Sequence, residues 1–141
     1  MNNDDIFVNL QKVIDDKLQL ELVPFGSDNF KTNLMTPKTL KPYIDLALET
    51  IVSQPRDYVI FCGNVFEKLL TPYIVEKQDY SFKLIKKDGT MAKNNTRFSK
   101  VILDYRGQKF TAGIAHSFAQ QGLTGSIMNK YGQQCFELYN R

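Results

Sequence analysis

Cysteine and histidine are scarce. Cys62 and Cys135 are the only cysteines and His116 is the only histidine in 141 residues. Two cysteines outside any CxxC exclude a disulfide framework. A structural zinc ion normally takes four Cys or His ligands, and the chain holds three such residues. No metal and no cofactor are therefore expected, and both cysteines read as small buried hydrophobes with reduced thiols. No apolar run approaches the roughly 18 residues of a membrane span. The acidic start, MNNDDIF, lacks the basic n-region of a signal peptide. The expectation is a cytoplasmic protein with no membrane contact. Neither GxxxxGK[ST] nor GxGxxG occurs, which argues against the familiar nucleotide-binding loops. No Ser/His/Asp order or Cys/His pair stands out, and the acidic residues fall mostly on polar helix faces.

What is present suits one compact domain, residues 1–141. Hydrophobic residues make up 43% and charged residues 23%, which excludes a disordered chain. Lys and Arg number 18 against 15 Asp and Glu, a net +3. The balance is uneven. Between Lys83 and Lys109 stand eight basic and two acidic residues, +6, and the rest of the chain carries ten and thirteen, −3. A basic middle of this kind can meet phosphate. A solvated hairpin face is the plainer explanation of the same residues.

Along the chain, Ile6, Leu10, Val13 and Ile14 recur at helical spacing over residues 4–16, with Asn3 as N-cap. Leu18, Leu20 and Leu22 alternate as in a strand, which Pro24 and Gly26 stop. A loop from Gly26 to about Met35 leads to a helix marked by Leu40, Ile44, Ala47, Leu48 and Ile51. Its expected start is Thr39 or Lys41, so that Pro42 falls in the first turn. The continuous apolar run Tyr58–Cys62 reads as a strand covered on both faces. Gly63 closes it, and Asn64 opens a helix with Val65, Phe66, Leu69 and Leu70. Helix, strand and helix in succession suit a doubly wound α/β sheet. Tyr80, Phe82 and Leu84 then alternate, and Lys87-Asp88-Gly89 is a turn signal. Lys93–Thr96 reads as loop. Val101–Tyr105 and Gln108–Ala115 read as strands joined by Arg106-Gly107 at hairpin spacing. A final helix is expected with Ser126 as N-cap and with Ile127, Tyr131, Gln134 or Cys135, and Leu138 at helical spacing.

Ligands of open α/β sheets bind beyond the carboxyl ends of the strands. His116 and Ser117 follow such a strand, and an imidazole there can donate to a developing oxyanion. A lone histidine packed at a strand end is the plainer alternative. Gly63 and Asn64 end another strand and open a helix, where backbone N–H groups can hold an anion, or simply form a turn. Gly122 and Gly125, before the last helix, have the same ambiguity. Lys86, Lys87, Arg97 and Lys100 are the candidate phosphate contacts of the basic middle.

Several segments resemble the uracil-DNA glycosylase superfamily. Tyr58-Val59-Ile60-Phe61-Cys62-Gly63-Asn64 is similar to its apolar strand ending in tryptophan-glycine, with Cys62 at the tryptophan position. Ile114-Ala115-His116-Ser117 is similar to the start of its HPSP segment. Gly122-Leu123-Thr124-Gly125 followed by Tyr131 is similar to the glycine-phenylalanine stretch and the aromatic helix after it. Leu20–Ser27 looks like the middle strand and loop. The resemblance implies a mostly parallel sheet flanked by helices, here with an added antiparallel hairpin. It further implies that His116, Ser117, Gly63 and Asn64 face a base or phosphate, with DNA as partner. The family's water-activating motif, of the form GQDPYH, has no counterpart. The implied function is therefore nucleic-acid binding without uracil excision. The alternative is a non-catalytic protein-protein interaction domain, with a homo-oligomer as one form of it.

Overall fold

The structure is a computed structural model that describes residues 37–93, 95–116 and 125–141. The predicted helix 4–16, strand 18–22 and following loop lie outside the described residues. So do Ser117 and Gly122.

The described chain begins with α1 (Pro37–Val52). This helix starts earlier than its sequence suggests, because Pro37 has the fixed φ that suits a first helical position. Pro42 consequently lies inside the helix, past the first turn. Its missing N–H and its neighbours Lys38 and Lys41 are on the exposed side, where the carbonyl left without a donor meets water. Leu40, Ile44 and Leu48 form the buried stripe, at the i, i+4 spacing of one helix face.

β1 (Ile60–Cys62), α2 (Val65–Leu69) and a 3-10 turn (Thr71–Tyr73) follow. Then come β2 (Ile74–Phe82), β3 (Thr96–Tyr105), β4 (Gln108–Ala115) and α3 (Ser126–Tyr139). The sheet order is β1-β4-β3-β2. β1 pairs with β4 in parallel, and β2–β3 and β3–β4 are antiparallel. The sheet among the described residues is thus mixed, where the sequence led to an expectation of mostly parallel pairing. The cause is local: two hairpin connections in succession force an antiparallel meander. One of them is Arg106-Gly107, with φ of 51° and 85°, the positive values of a type I′ turn that matches strand twist.

Residue parity on β3 distributes the core. Val101, Leu103 and Tyr105 face one side, with Ala112 and Ile114 of β4, and pack on the α1 stripe and on Leu69 and Leu70. Phe98 and Ala115 face the other side and pack on Tyr131, Cys135, Leu138 and Tyr139 of α3. Helices therefore cover both faces, and the broad α/β class holds. β1 is read from the sequence as covered on both faces; among the described residues it is the outermost strand on its side of the sheet, with Phe61 buried and Ile60 45% exposed. Cys135 is buried and its thiol is pushed up to about 11, chiefly by burial, so it stays protonated at neutral pH. Among the described residues no helix is long and apolar enough to cross a membrane.

Candidate nucleic-acid interface

β1, β2 and β4 run in the same direction and β3 runs against them. The carboxyl ends of β1, β2 and β4 and the start of β3 therefore share one edge of the sheet. Gly63, Asn64, His116, Arg97 and the connection from Phe82 to Thr96 all lie along it. The Gly63 N–H donates to the Ala115 carbonyl at 2.8 Å, which seats the Gly63-Asn64 turn directly beside the end of β4.

His116 is built into the backbone. Ser99 pairs with Ile114, so the next pair outward is Arg97 with His116. There the ladder is completed by side chains. The Arg97 N–H donates to Nε2 of His116 at 2.9 Å. The Tyr131 hydroxyl accepts from the His116 N–H at 2.9 Å and donates to the Arg97 carbonyl at 2.6 Å. One tyrosine of α3 thus bridges the last rung of β3 and β4, and its ring lies 5.5 Å from the imidazole. Burial raises the Tyr131 hydroxyl well above its ordinary value, so it remains a donor.

Because Nε2 accepts, the imidazole proton sits on Nδ1. Nδ1 is buried and has no hydrogen-bond partner among the described residues. Burial lowers the His116 pKa, and the Arg97 charge lowers it further against a weaker opposite pull from Glu67. The neutral ring is the form that fits, since a proton on Nε2 would meet the Arg97 N–H head-on. Nε2 is therefore already occupied as an acceptor and is not available to donate to an incoming oxygen.

The Gly63-Asn64 turn has the geometry of a strand-to-helix corner. Gly63 holds a φ of 138°, in the region glycine favours. Asn64 makes no side-chain cap bond, and α2 is five residues long with Glu67 in its first turn. Glu67 lies 3.9 Å from the Arg97 guanidinium. A carboxylate there opposes an anion at the helix start and partly occupies Arg97.

The basic middle does not form one patch. A ten-residue strand is roughly 33 Å long, and β3 separates its two ends by that distance. Lys100 faces away from Arg97 on the pleat, and its Nζ donates to the Arg141 carbonyl at 2.9 Å. With Arg56 and Lys109 it lines a groove of about 750 Å³ at the opposite end of the sheet.

Lys86 and Lys87 belong to a short hairpin that projects from the carboxyl edge. Its bonds run from the Ala92 N–H to the Leu84 carbonyl and from the Lys86 N–H to the Thr90 carbonyl, both 2.7 Å. Asp88 closes the tip, accepting from the Thr90 N–H at 2.9 Å and from its hydroxyl at 2.6 Å. Those bonds hold the Asp88 carboxyl below its ordinary range. Leu84 is buried in the α3-side core with Ala92 packed against it. Lys130 of α3 donates to the Ile85 carbonyl at 2.7 Å. The hairpin is therefore tied to the body of the protein. Lys83, Lys86, Lys87 and Lys93 are all exposed on it, and none has an acidic partner within 4 Å among the described residues.

Two features of this edge escape a reading of the sequence. Tyr131 reads as one apolar member of a helix face, whereas its hydroxyl closes the sheet. Ile85 and Met91 read as incidental, whereas they form an exposed cross-strand pair. The adjacent apolar residues Leu84 and Ile85 were the available signal, because an extended chain buries only one of two neighbours. Among the described residues no group of three or more His, Cys, Asp or Glu is placed to hold a metal ion. Compared with models of protein families, with curated proteins and with solved structures, the chain matches none.

Proposed function

We propose that this chain is a nucleic-acid-binding domain without catalytic activity, and that its contact surface is the carboxyl edge of the sheet. The observation that carries the reading is the tethered hairpin, with four exposed lysines that have no acidic partner within 4 Å among the described residues, and Arg97 at its base. Among the described residues, the carboxylates near these five cations are Glu67, Asp79 and Asp88, the first two lining one hollow with Arg97. Such a cluster attracts a polyanion and releases counterions from it on binding. His116 acts here as a structural residue that completes the β3–β4 ladder, leaving Arg97 and the lysines as the phosphate contacts. Binding at this edge needs no glycosylase chemistry, and its support is the charge geometry, independent of the family resemblance.

The test is a fluorescence-anisotropy titration with a short DNA at low salt, repeated as salt rises. Affinity falls with salt, and Lys86→Ala/Lys87→Ala lowers the log–log slope by about 1.8 for two lost contacts on duplex DNA. Arg56→Ala/Lys109→Ala, at the opposite end, leaves the slope unchanged. Absence of binding at low salt, or equal loss in both variants, overturns the proposal.

A second reading has its own observation. Tyr58, Ile60 and Phe136, on and beside β1, are 50%, 45% and 56% exposed, and Tyr58 packs on Phe136 at 5.3 Å. An exposed apolar patch of this kind suits a protein partner or a second copy of the chain. Concentration-dependent association in sedimentation, abolished by Tyr58→Ser, would favour it.

A further inference from the structure

The basic hairpin also carries an apolar pair that the fold does not use. Ile85 and Met91 oppose each other across it. The backbone bonds on either side of them make this the close, non-hydrogen-bonded kind of pair, with both side chains on one face. Their neighbours Leu84 and Ala92 turn inward to the core. Ile85 and Met91 therefore turn outward, 52% and 65% exposed, among Lys83, Lys86, Lys87 and Lys93.

On these grounds, and resting on the nucleic-acid reading above, we infer that the 84–92 hairpin is a DNA-bending ribbon. It enters the minor groove of a duplex, Ile85 and Met91 wedge at one base step, and the lysines hold the phosphates on either side. Apolar wedges flanked by cations unstack a step and kink the duplex toward the major groove. The ribbon is suited to this because its inner face is buried and Lys130 holds its backbone. A wedge on a floppy loop would lose to ordering entropy what it gains in contact. Charge complementarity also admits an anionic membrane, but the apolar payload decides against it. The two side chains together have about half the carbons of a myristoyl chain, which alone gives only marginal membrane binding.

The experiment uses a duplex of about 20 base pairs, labelled at both ends for energy transfer, with binding followed in parallel by anisotropy. The full chain at saturation shortens the end-to-end distance. Ile85→Ser/Met91→Ser, which alters only exposed side chains, keeps affinity within about threefold because its phosphate contacts are intact, yet loses the distance change. Lys86→Ala/Lys87→Ala loses affinity instead. Saturable binding by the wild type with no distance change overturns the wedge and leaves the nucleic-acid reading standing. No binding to DNA overturns both. Binding to vesicles containing phosphatidylserine, with none to DNA, overturns both and assigns the hairpin to a membrane surface.

Discussion

Protonating His116 would place an Nε2–H against the Arg97 N–H from which that nitrogen now accepts. It would also add a charge close to the Arg97 guanidinium. Burial and that charge both hold the folded-state pKa of His116 below its ordinary value. The sign of the linkage follows. As pH falls, the unfolded chain takes up the proton first, so the contribution of the neutral ring is fully present above about pH 6.5 and is lost as pH drops below that value. Removing the imidazole removes one hydrogen bond to Arg97, a loss of about 1 kcal/mol at neutral pH. The stability gap between wild type and His116→Ala, measured by urea unfolding, should therefore narrow between about pH 7.5 and about pH 5.5. A gap that stays constant or widens contradicts this account of the residue. From the sequence His116 is legible as a strand-end residue and no further. Its partners are Arg97, nineteen positions away, and Tyr131 on another helix, and chain order does not encode which backbone group a ring nitrogen will meet.

At the scale of elements, β3 and β4 depend on a close approach that only glycine permits. A Cβ built on Gly113 would lie 2.7 Å from Cε2 and Cζ of Phe98, whose ring is 1% exposed and has no room to retreat. Gly113→Ala should destabilise the protein by about 1–3 kcal/mol through overpacking, read as a lower urea midpoint at unchanged m-value. A midpoint within error of the wild type would show that Phe98 can move. The elements best read from the sequence are those with one clear period: the α1 stripe, the β4 run, the α3 face and the Arg106-Gly107 turn. The first half of β2 gives no strand signal because Val75 to Asp79 are all exposed, and a strand with little buried surface shows no apolar alternation. β3 was read from Val101 onward, since Thr96–Lys100 contains one large apolar residue, Phe98. Tyr58–Cys62 reads as doubly covered because a run of apolar residues does not reveal that one face leaves Ile60 45% exposed.

For the whole molecule, local order proved a poor guide to pairing. Helix, strand and helix in succession suggest a parallel sheet, but among the described residues β1 and β2 are the outermost strands, with β4 and β3 between them. The same folding divides the basic middle. In the sequence Lys83 to Lys109 form one block of +6, whereas β3 and the turn and strand after it carry Lys100, Arg106 and Lys109, three of its eight basic residues, away from the hairpin edge. Two separated basic regions make competing claims on a polyanion, the hairpin with Arg97 at one end and Arg56, Lys100 and Lys109 at the other. In the latter, Lys100 already donates to a carbonyl and Arg56 donates to the Thr50 and Ile51 carbonyls. The hairpin lysines have no ion-pair partner within 4 Å among the described residues, so phosphate gains most there. A two-dimensional amide NMR titration of the full chain with a short DNA duplex at low salt tests this most directly. The account predicts saturable shifts concentrated at 83–93 and Arg97 that vanish as salt is raised. Shifts concentrated at Arg56, Lys100 and Lys109, or none at all, would contradict it.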